Sequence, residues 1–168
     1  MVWFKRLMWA LVALLVLLAL GLGWYVQRSL PRLDGAMTLA GLKAPVQVRR
    51  DAADVTHLRA TSLRDAAFAL GVVHAQERGW QLEFNRRVME GTLSEVLGEP
   101  TLETDKLIRT LGILRAAQRQ WEGLPPDAQA LLQAYADGIN ALHASNQQAL
   151  PPEFHILRTQ PGLWKPQH

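Results

Sequence analysis

Between His74 and Gly98 the chain carries more proton- and anion-binding groups than the exposed side of one helix would use. Gln76, Glu77, Arg78, Gln81, Glu83, Asn85, Arg86 and Arg87 alternate there with Trp80, Leu82, Phe84 and Val88. On a helical wheel the polar residues fall on every side, so part of them must turn inward. Inward-facing carboxylates and guanidinium groups have two uses: they can meet a charged substrate in a cleft, or they can pair with one another. Glu83 stands four residues before Arg87 and Glu77 four before Gln81, the separation at which helical side chains touch. An unpaired buried charge is too costly to keep. The pattern favours a structural polar network of Glu77, Arg78, Glu83, Arg86, Arg87 and Glu95 over a substrate cleft, and assigns no residue to substrate.

Histidines are the other candidates for acid–base or metal chemistry. His57, His74, His143, His155 and His168 show no pair at the spacing of a zinc helix such as His-Glu-x-x-His. His57 and His74 are expected as hydrogen-bonded core residues. Cysteine is absent, which excludes a disulfide framework and thiolate metal sites. The net charge of +3 is carried by scattered residues and the doublets Lys5-Arg6, Arg49-Arg50 and Arg86-Arg87, without a basic stripe. Nucleic acid is therefore not expected as a partner.

The elements that must position these groups are mostly helical. Val46 to Arg50 and Val55 to Ala60 alternate as two short strands around Asp51-Ala52-Ala53-Asp54. Ser62 with Asp65 resembles a capping box, after which Leu63, Ala66, Ala67, Leu70 and His74 recur at helical spacing. Phe68, Val72 and Val73 cover the other faces, as in a helix inside a larger body. Thr92 with Glu95 predicts a second capping box for a short helix ending at Gly98. Leu102 to Leu111 and Ile113 to Trp121 read as helices separated by Gly112. Pro125-Pro126-Asp127 opens a longer one with an apolar stripe of Leu131, Leu132, Tyr135, Ile139 and Leu142. From Gln147 onward the chain reads as irregular.

Leu7 to Val26 contains no charged residue and matches the length of a membrane-spanning helix. Lys5 and Arg6 precede it, aromatic residues sit near both ends, and Gly23-Trp24-Tyr25-Val26 offers no good cleavage site for a signal peptide. The expected division is 1–6 as a cytoplasmic N-terminus, 7–26 as an uncleaved signal anchor in the inner membrane, 27–43 as a linker, and 44–168 as a folded part facing the periplasm.

Several blocks, in a fixed order, carry a family resemblance. They are Val46-Gln47-Val48-Arg49-Arg50-Asp51 with Val55 to Ala60; Ala69 to Arg78; Arg86-Arg87 with Gly91 and Ser94 to Gly98; Asp105 with Arg109; Ala134 to Ala141; Pro151 to Phe154; and Pro161, Trp164 and Pro166. Together they resemble the first part of the α chain of the penicillin acylase (penicillin amidase) family. Three positions depart from its pattern: Asp54 where Gly is usual, Thr56 where Pro is usual, and Gly79 in place of a large apolar residue. Asp tolerates a left-handed turn, and a glycine inside a helix costs about 1 kcal/mol.

The resemblance implies a fragment of an αββα N-terminal-nucleophile hydrolase: mainly α here, with a short N-terminal β-hairpin, preceded by a transmembrane helix. It implies a precursor that cuts itself into α and β chains, in which the new N-terminal residue, usually Ser, attacks an amide carbonyl with its own α-amine as base. No catalytic residue and no metal ligand of the family falls within this chain, and calcium is implied only for the full-length member. Ser145-Asn146 resembles the start of a β chain, but it follows a helix where a buried strand should begin, and is read as coincidence. Trp121 and Trp164 are expected to anchor helix ends against the β chain. The implied partners are the rest of the α chain, the β chain and the lipid bilayer. The competing reading is a non-catalytic, membrane-tethered helical adaptor or a truncated remnant.

Overall fold

The computed structural model describes residues 2–168, Val2 by its backbone alone. It divides into two compact units, residues 1–30 and 31–168. The first is a single helix, α1 (Val2–Ser29). Its apolar residues point outward on all sides, and Arg28 lies 5.5 Å from the centre of the Trp24 ring. Its 28 residues rise about 42 Å, beyond the roughly 30 Å of a bilayer core. From Trp3 to Ser29 it is long and apolar enough to cross a membrane.

The second unit begins with an extended segment and the antiparallel pair β1 (Gln47–Arg50) and β2 (Thr56–Arg59), in which Val48 faces Leu58 and Arg49 faces His57. Asp51 builds the turn: its Oδ1 accepts from the backbone N–H of Ala53 and of Val55. Asp54 takes the left-handed conformation, φ 60°, that glycine would adopt without strain. The strands are one or two residues shorter than the sequence predicts.

Helix α2 (Leu63–Glu90) is the axis of the unit. Ser62 caps it as expected, accepting from the Asp65 N–H, and Gly91 ends it in a left-handed conformation. The helix bends at Arg78 (φ −136°, ψ 31°). Gly79 follows directly, and the Gln148 side chain donates to the Gln76 carbonyl there, so a flexible residue and a side chain set against the backbone account for the bend. A Cβ at Gly79 would only touch Pro151, at 3.5 Å.

After α2 come α3 (Ser94–Leu97), a 3-10 turn at Glu99–Thr101, α4 (Leu102–Leu111), α5 (Ile113–Gly123), α6 (Pro126–Ser145) and α7 (Pro152–Ile156). The last lies in the stretch expected to be irregular. The main contact pairs α2 with α6. Its geometry is set by glycines: a Cβ on Gly71 would fall 2.1 Å from the Tyr135 carbonyl oxygen, and one on Gly138 would fall 2.0 Å from that of Phe68. The two backbones therefore touch, which only glycine permits. This corrects the stripe read for α6. Ala134, Ala136, Gly138, Ile139 and Leu142 are buried, whereas Leu132 is exposed.

Ala75, Ala136, Ile139, Leu142 and Trp164 form the core, with Met37, Val72, Leu82 and Tyr135 against it. Trp164 is thus buried inside this chain, where the sequence reading placed it against another. The segment read as a linker divides: up to Ser29 it extends α1, and further on it lies along the folded unit. There Lys43 N–H donates to Asp65 and the Gln147 amide to the Thr38 carbonyl.

Candidate functional site

Glu83 is the centre of the polar cluster. It projects from α2 beyond the bend, only 3% exposed, and accepts four hydrogen bonds. Its Oε1 takes Arg86 Nη2 at 2.7 Å and Arg87 Nε at 2.6 Å, and its Oε2 takes Arg86 Nε and the backbone N–H of Gly162, both at 2.9 Å. Arg86 is therefore bidentate on one carboxylate, and its remaining nitrogen, Nη1, reaches Glu90 at 2.6 Å. Arg87 continues outward to Glu95 at 3.2 Å, the Thr92 carbonyl and the Thr159 hydroxyl.

The final segment lies across this cluster as a strap. Gly162 is pressed onto Arg86 so closely that a Cβ would stand 2.3 Å from Nη2. Asn140 of α6 holds the strap by a reciprocal pair, donating to the Trp164 carbonyl and accepting its N–H. His168 Nδ1 accepts from the Lys165 N–H, which leaves Nε2 as the protonated nitrogen, 3.2 Å from Glu90 Oε1.

Electrostatics follow from these contacts. Burial alone would raise the Glu83 pKa, but the Arg86 and Gly162 hydrogen bonds and two guanidinium charges outweigh it, so the carboxyl is held below its ordinary range. The Glu83 hydrogen bond raises Arg86 above an already high value. Burial lowers His168, against the pull of Glu90, and lowers His143, against that of Glu83. An ionised carboxylate offers about four acceptor positions. All four on Glu83 are taken, so it has neither a proton to give nor a free lone pair with which to receive one.

A second buried carboxylate fixes the turn after α2. Asp105 of α4 accepts from Leu93 N–H at 3.0 Å and Ser94 N–H at 2.8 Å, while Arg109 donates to the Gly91 carbonyl at 2.7 Å. Burial raises the Asp105 pKa and the Ser94 and Leu93 donors more than offset it, leaving it lowered. Asp105 thus caps α3. This corrects the capping box read at Thr92, because the Thr92 hydroxyl points back to the Arg87 carbonyl.

Of the residues singled out in the sequence, Glu83, Arg86, Arg87 and Glu95 come together. Glu77 and Arg78 do not. Glu77 turns to the hairpin, where it pairs with Arg50 and accepts from Thr56, and no bond to Gln81 forms. Arg78 stands exposed at the bend, without a hydrogen bond or ion pair among the described residues. His74 behaves as expected, its Nδ1 2.9 Å from the Tyr135 hydroxyl. His57 does not: its side chain is 61% exposed and pairs with Asp51 at 2.9 Å, because β2 directs Thr56 and Leu58 to the sheltered face and His57 and Arg59 away. Ser145 donates to the Leu142 carbonyl in the last turn of α6, and Asn146 is that helix's left-handed cap. Glu90, Gly162, Asn140 and Thr159 were not singled out. Glu90 alone carried a readable signal, its position four residues after Arg86.

Calcium, implied by the resemblance, does not fit the groups present. Asp65, Glu83 and Asp105 are already occupied by backbone, hydroxyl and guanidinium donors. Among the described residues no set of three or more His, Asp or Glu is gathered for a metal.

Comparison with known proteins gives a consistent result. A sequence model of the penicillin amidase family matches residues 45–168. Penicillin acylase 2 proenzyme of Pseudomonas sp. (strain SE83) is 41% identical over 143 residues, 85% of this chain and 18% of that protein. Acyl-homoserine lactone acylase QuiP of Pseudomonas fluorescens is 33% identical over 142 residues, 84% of this chain and again 18% of the relative. Among solved structures, a thermostable penicillin G acylase from Alcaligenes faecalis superimposes with a TM-score of 0.66 at 29% identity, covering 73% of this chain and 67% of that one.

Proposed function

We propose that this chain, which belongs to the penicillin amidase family, is the N-terminal part of an amide hydrolase that removes an acyl group from an amine-bearing core. The match over residues 45–168 carries the reading, supported by relatives named as penicillin and acyl-homoserine lactone acylases. The chain spans 18% of the length of those relatives, so the activity belongs to a longer polypeptide. In that polypeptide the resemblance implies an N-terminal nucleophile, its α-amine as base and donors for the oxyanion, within an αββα body.

On this reading the catalytic groups lie outside residues 1–168, and these residues serve as scaffold. The saturation of Glu83 supports that role, since all four acceptor positions of the carboxylate are taken and none is left for a substrate or a proton. The remainder of the α chain and the β chain are the partners. Helix α1 is the anchor, a single pass through the inner membrane with Lys5 and Arg6 on the cytoplasmic side and the folded unit in the periplasm.

The test is to express the reading frame with all coding sequence that follows His168 and assay a chromogenic phenylacetyl or fatty-acyl anilide. The reading requires a downstream segment led by a nucleophile, turnover by the complete product, and none by residues 1–168. Turnover by residues 1–168 that Ser145→Ala abolishes would overturn it. So would a frame that closes after His168.

A further inference from the structure

We infer that the open face of the β1–β2 hairpin is a docking surface for the anionic headgroups of a phospholipid bilayer. Paired residues of an antiparallel sheet share a face, so the register sets Gln47 opposite Arg59 and Arg49 opposite His57 on one side. The other side carries Arg50 and Thr56, and both turn to Glu77 of α2. The first side therefore faces away from that helix, and all four of its residues are exposed. Arg49 and Arg59 make no hydrogen bond or ion pair among the described residues. They are diagonal cross-strand neighbours, about 7–8 Å apart by strand geometry, so two like charges stand side by side without a counter-charge. Asp51, the acid of the adjoining turn, is given over to His57 and to the backbone N–H groups of Ala53 and Val55.

The charge of the second unit is divided in the same sense. Residues 31–64 hold six Lys or Arg against three Asp, whereas residues 65–168 hold nine Lys or Arg against twelve Asp or Glu. The segment that contains the hairpin is cationic and the helical remainder anionic, so a negative surface attracts the first and repels the second. The tether points to the same occupant. The chain between Ser29, the end of α1, and Gln47 covers residues 30–46 and reaches at most about 60 Å when fully extended. With α1 in the bilayer, the hairpin meets lipid at high effective concentration, and a few unpaired cations then suffice without a shaped pocket. The docking thus rests on the membrane-anchor reading and is independent of the hydrolase activity. An acidic stretch of downstream polypeptide is the rival occupant, and the tether favours lipid.

The test exploits the absence of cysteine from the chain. Ala52→Cys, in the hairpin turn, and Ala130→Cys, on α6, each receive a fluorophore in residues 1–168, placed in nanodiscs that carry a lipid with a nitroxide on its headgroup. In discs containing phosphatidylglycerol at low salt, quenching at position 52 is expected to be at least about twice that in phosphatidylcholine discs and to fall back at about 0.5 M NaCl, while position 130 stays unchanged. Replacing Arg49 and Arg59 together by Ala should abolish the difference. Replacing both by Lys should keep it within about twofold, because a bilayer surface reads charge and not the planar fork of arginine. Equal quenching in both kinds of disc, or a difference that survives the Ala pair, overturns the inference and leaves the anchor standing. A chain that never enters the discs refutes the anchor and the docking together. Loss of the response in the complete precursor assigns the face to downstream polypeptide and overturns the inference as well.

Discussion

Two sets of ion pairs lie along one helix, on either side of its bend. Before the bend, Glu77 reaches Arg50 of the hairpin, and nearby Asp51 holds His57. Beyond it, Glu83 holds Arg86 and Arg87. Burial grades them: the Glu83 and Arg86 side chains are 3% and 10% exposed, those of Glu77 and Arg50 27% and 20%, and those of Asp51 and His57 in the hairpin 45% and 61%. In water an ion pair contributes little beyond fixing a local geometry. Away from water each charge is costly unless fully matched, so the buried set has to be complete. Its completeness is also what withdraws it from chemistry.

That contrast fixes an order of effects. Removing one partner of the buried set should cost the most. Glu83→Ala leaves two guanidinium groups and the Gly162 N–H without their acceptor, a loss of about 3 to 5 kcal/mol in a chemical denaturation experiment. A cost below 1 kcal/mol would place the cluster with the exposed pairs. Asp105→Ala tests whether a buried carboxylate that serves backbone donors belongs to the same class. It orphans the N–H groups of Leu93 and Ser94 and should cost about 1 to 3 kcal/mol, with amide exchange of the α3 turn accelerated first. Glu77→Ala, at the Arg50 pair whose side chains keep 27% and 20% of their surface in water, should cost the least, no more than about 1 kcal/mol.

Acidity sharpens the comparison further. His143 and His168 have pKa values held below the ordinary 6.5, chiefly by burial. The unfolded chain therefore takes up their protons first, and stability should be full above that value and fall as pH drops below it. Glu83 and Asp105, also held low, keep their contribution down to the ordinary carboxylate range and lose it as pH falls through their folded-state values. Melting temperatures across pH 3 to 8 should thus descend in two stages. A profile flat from pH 7 to 5 would contradict the burial of the two histidines.

Much of this was legible in the chain. Helix ends marked by Ser62, Gly112 and Pro126 fell at or beside the expected places, because capping and φ requirements are local. Glu83 with Arg87 was readable from four-residue spacing, as Glu90 with Arg86 would have been. The strap was not, since Gly162 lies 79 positions from Glu83 in sequence and nothing local joins them. The same holds for Asp105, which serves a helix start 11 or 12 residues earlier. The stripe of α6 was misread because large apolar residues were sought where Gly71 and Gly138 bring two backbones into contact. His57 was misplaced because a two-stranded hairpin has a sheltered face and an open one, and composition does not say which is which.

The most direct test of the buried cluster as scaffold is to replace Arg86 and Arg87 singly by Ala in the complete precursor, then measure maturation, melting temperature and turnover side by side. The account predicts that both variants fail to mature into α and β chains, and that any protein recovered melts at a lower temperature. Variants that mature normally, melt as the parent does and have lost only turnover would contradict it, and would place the two arginines at the substrate.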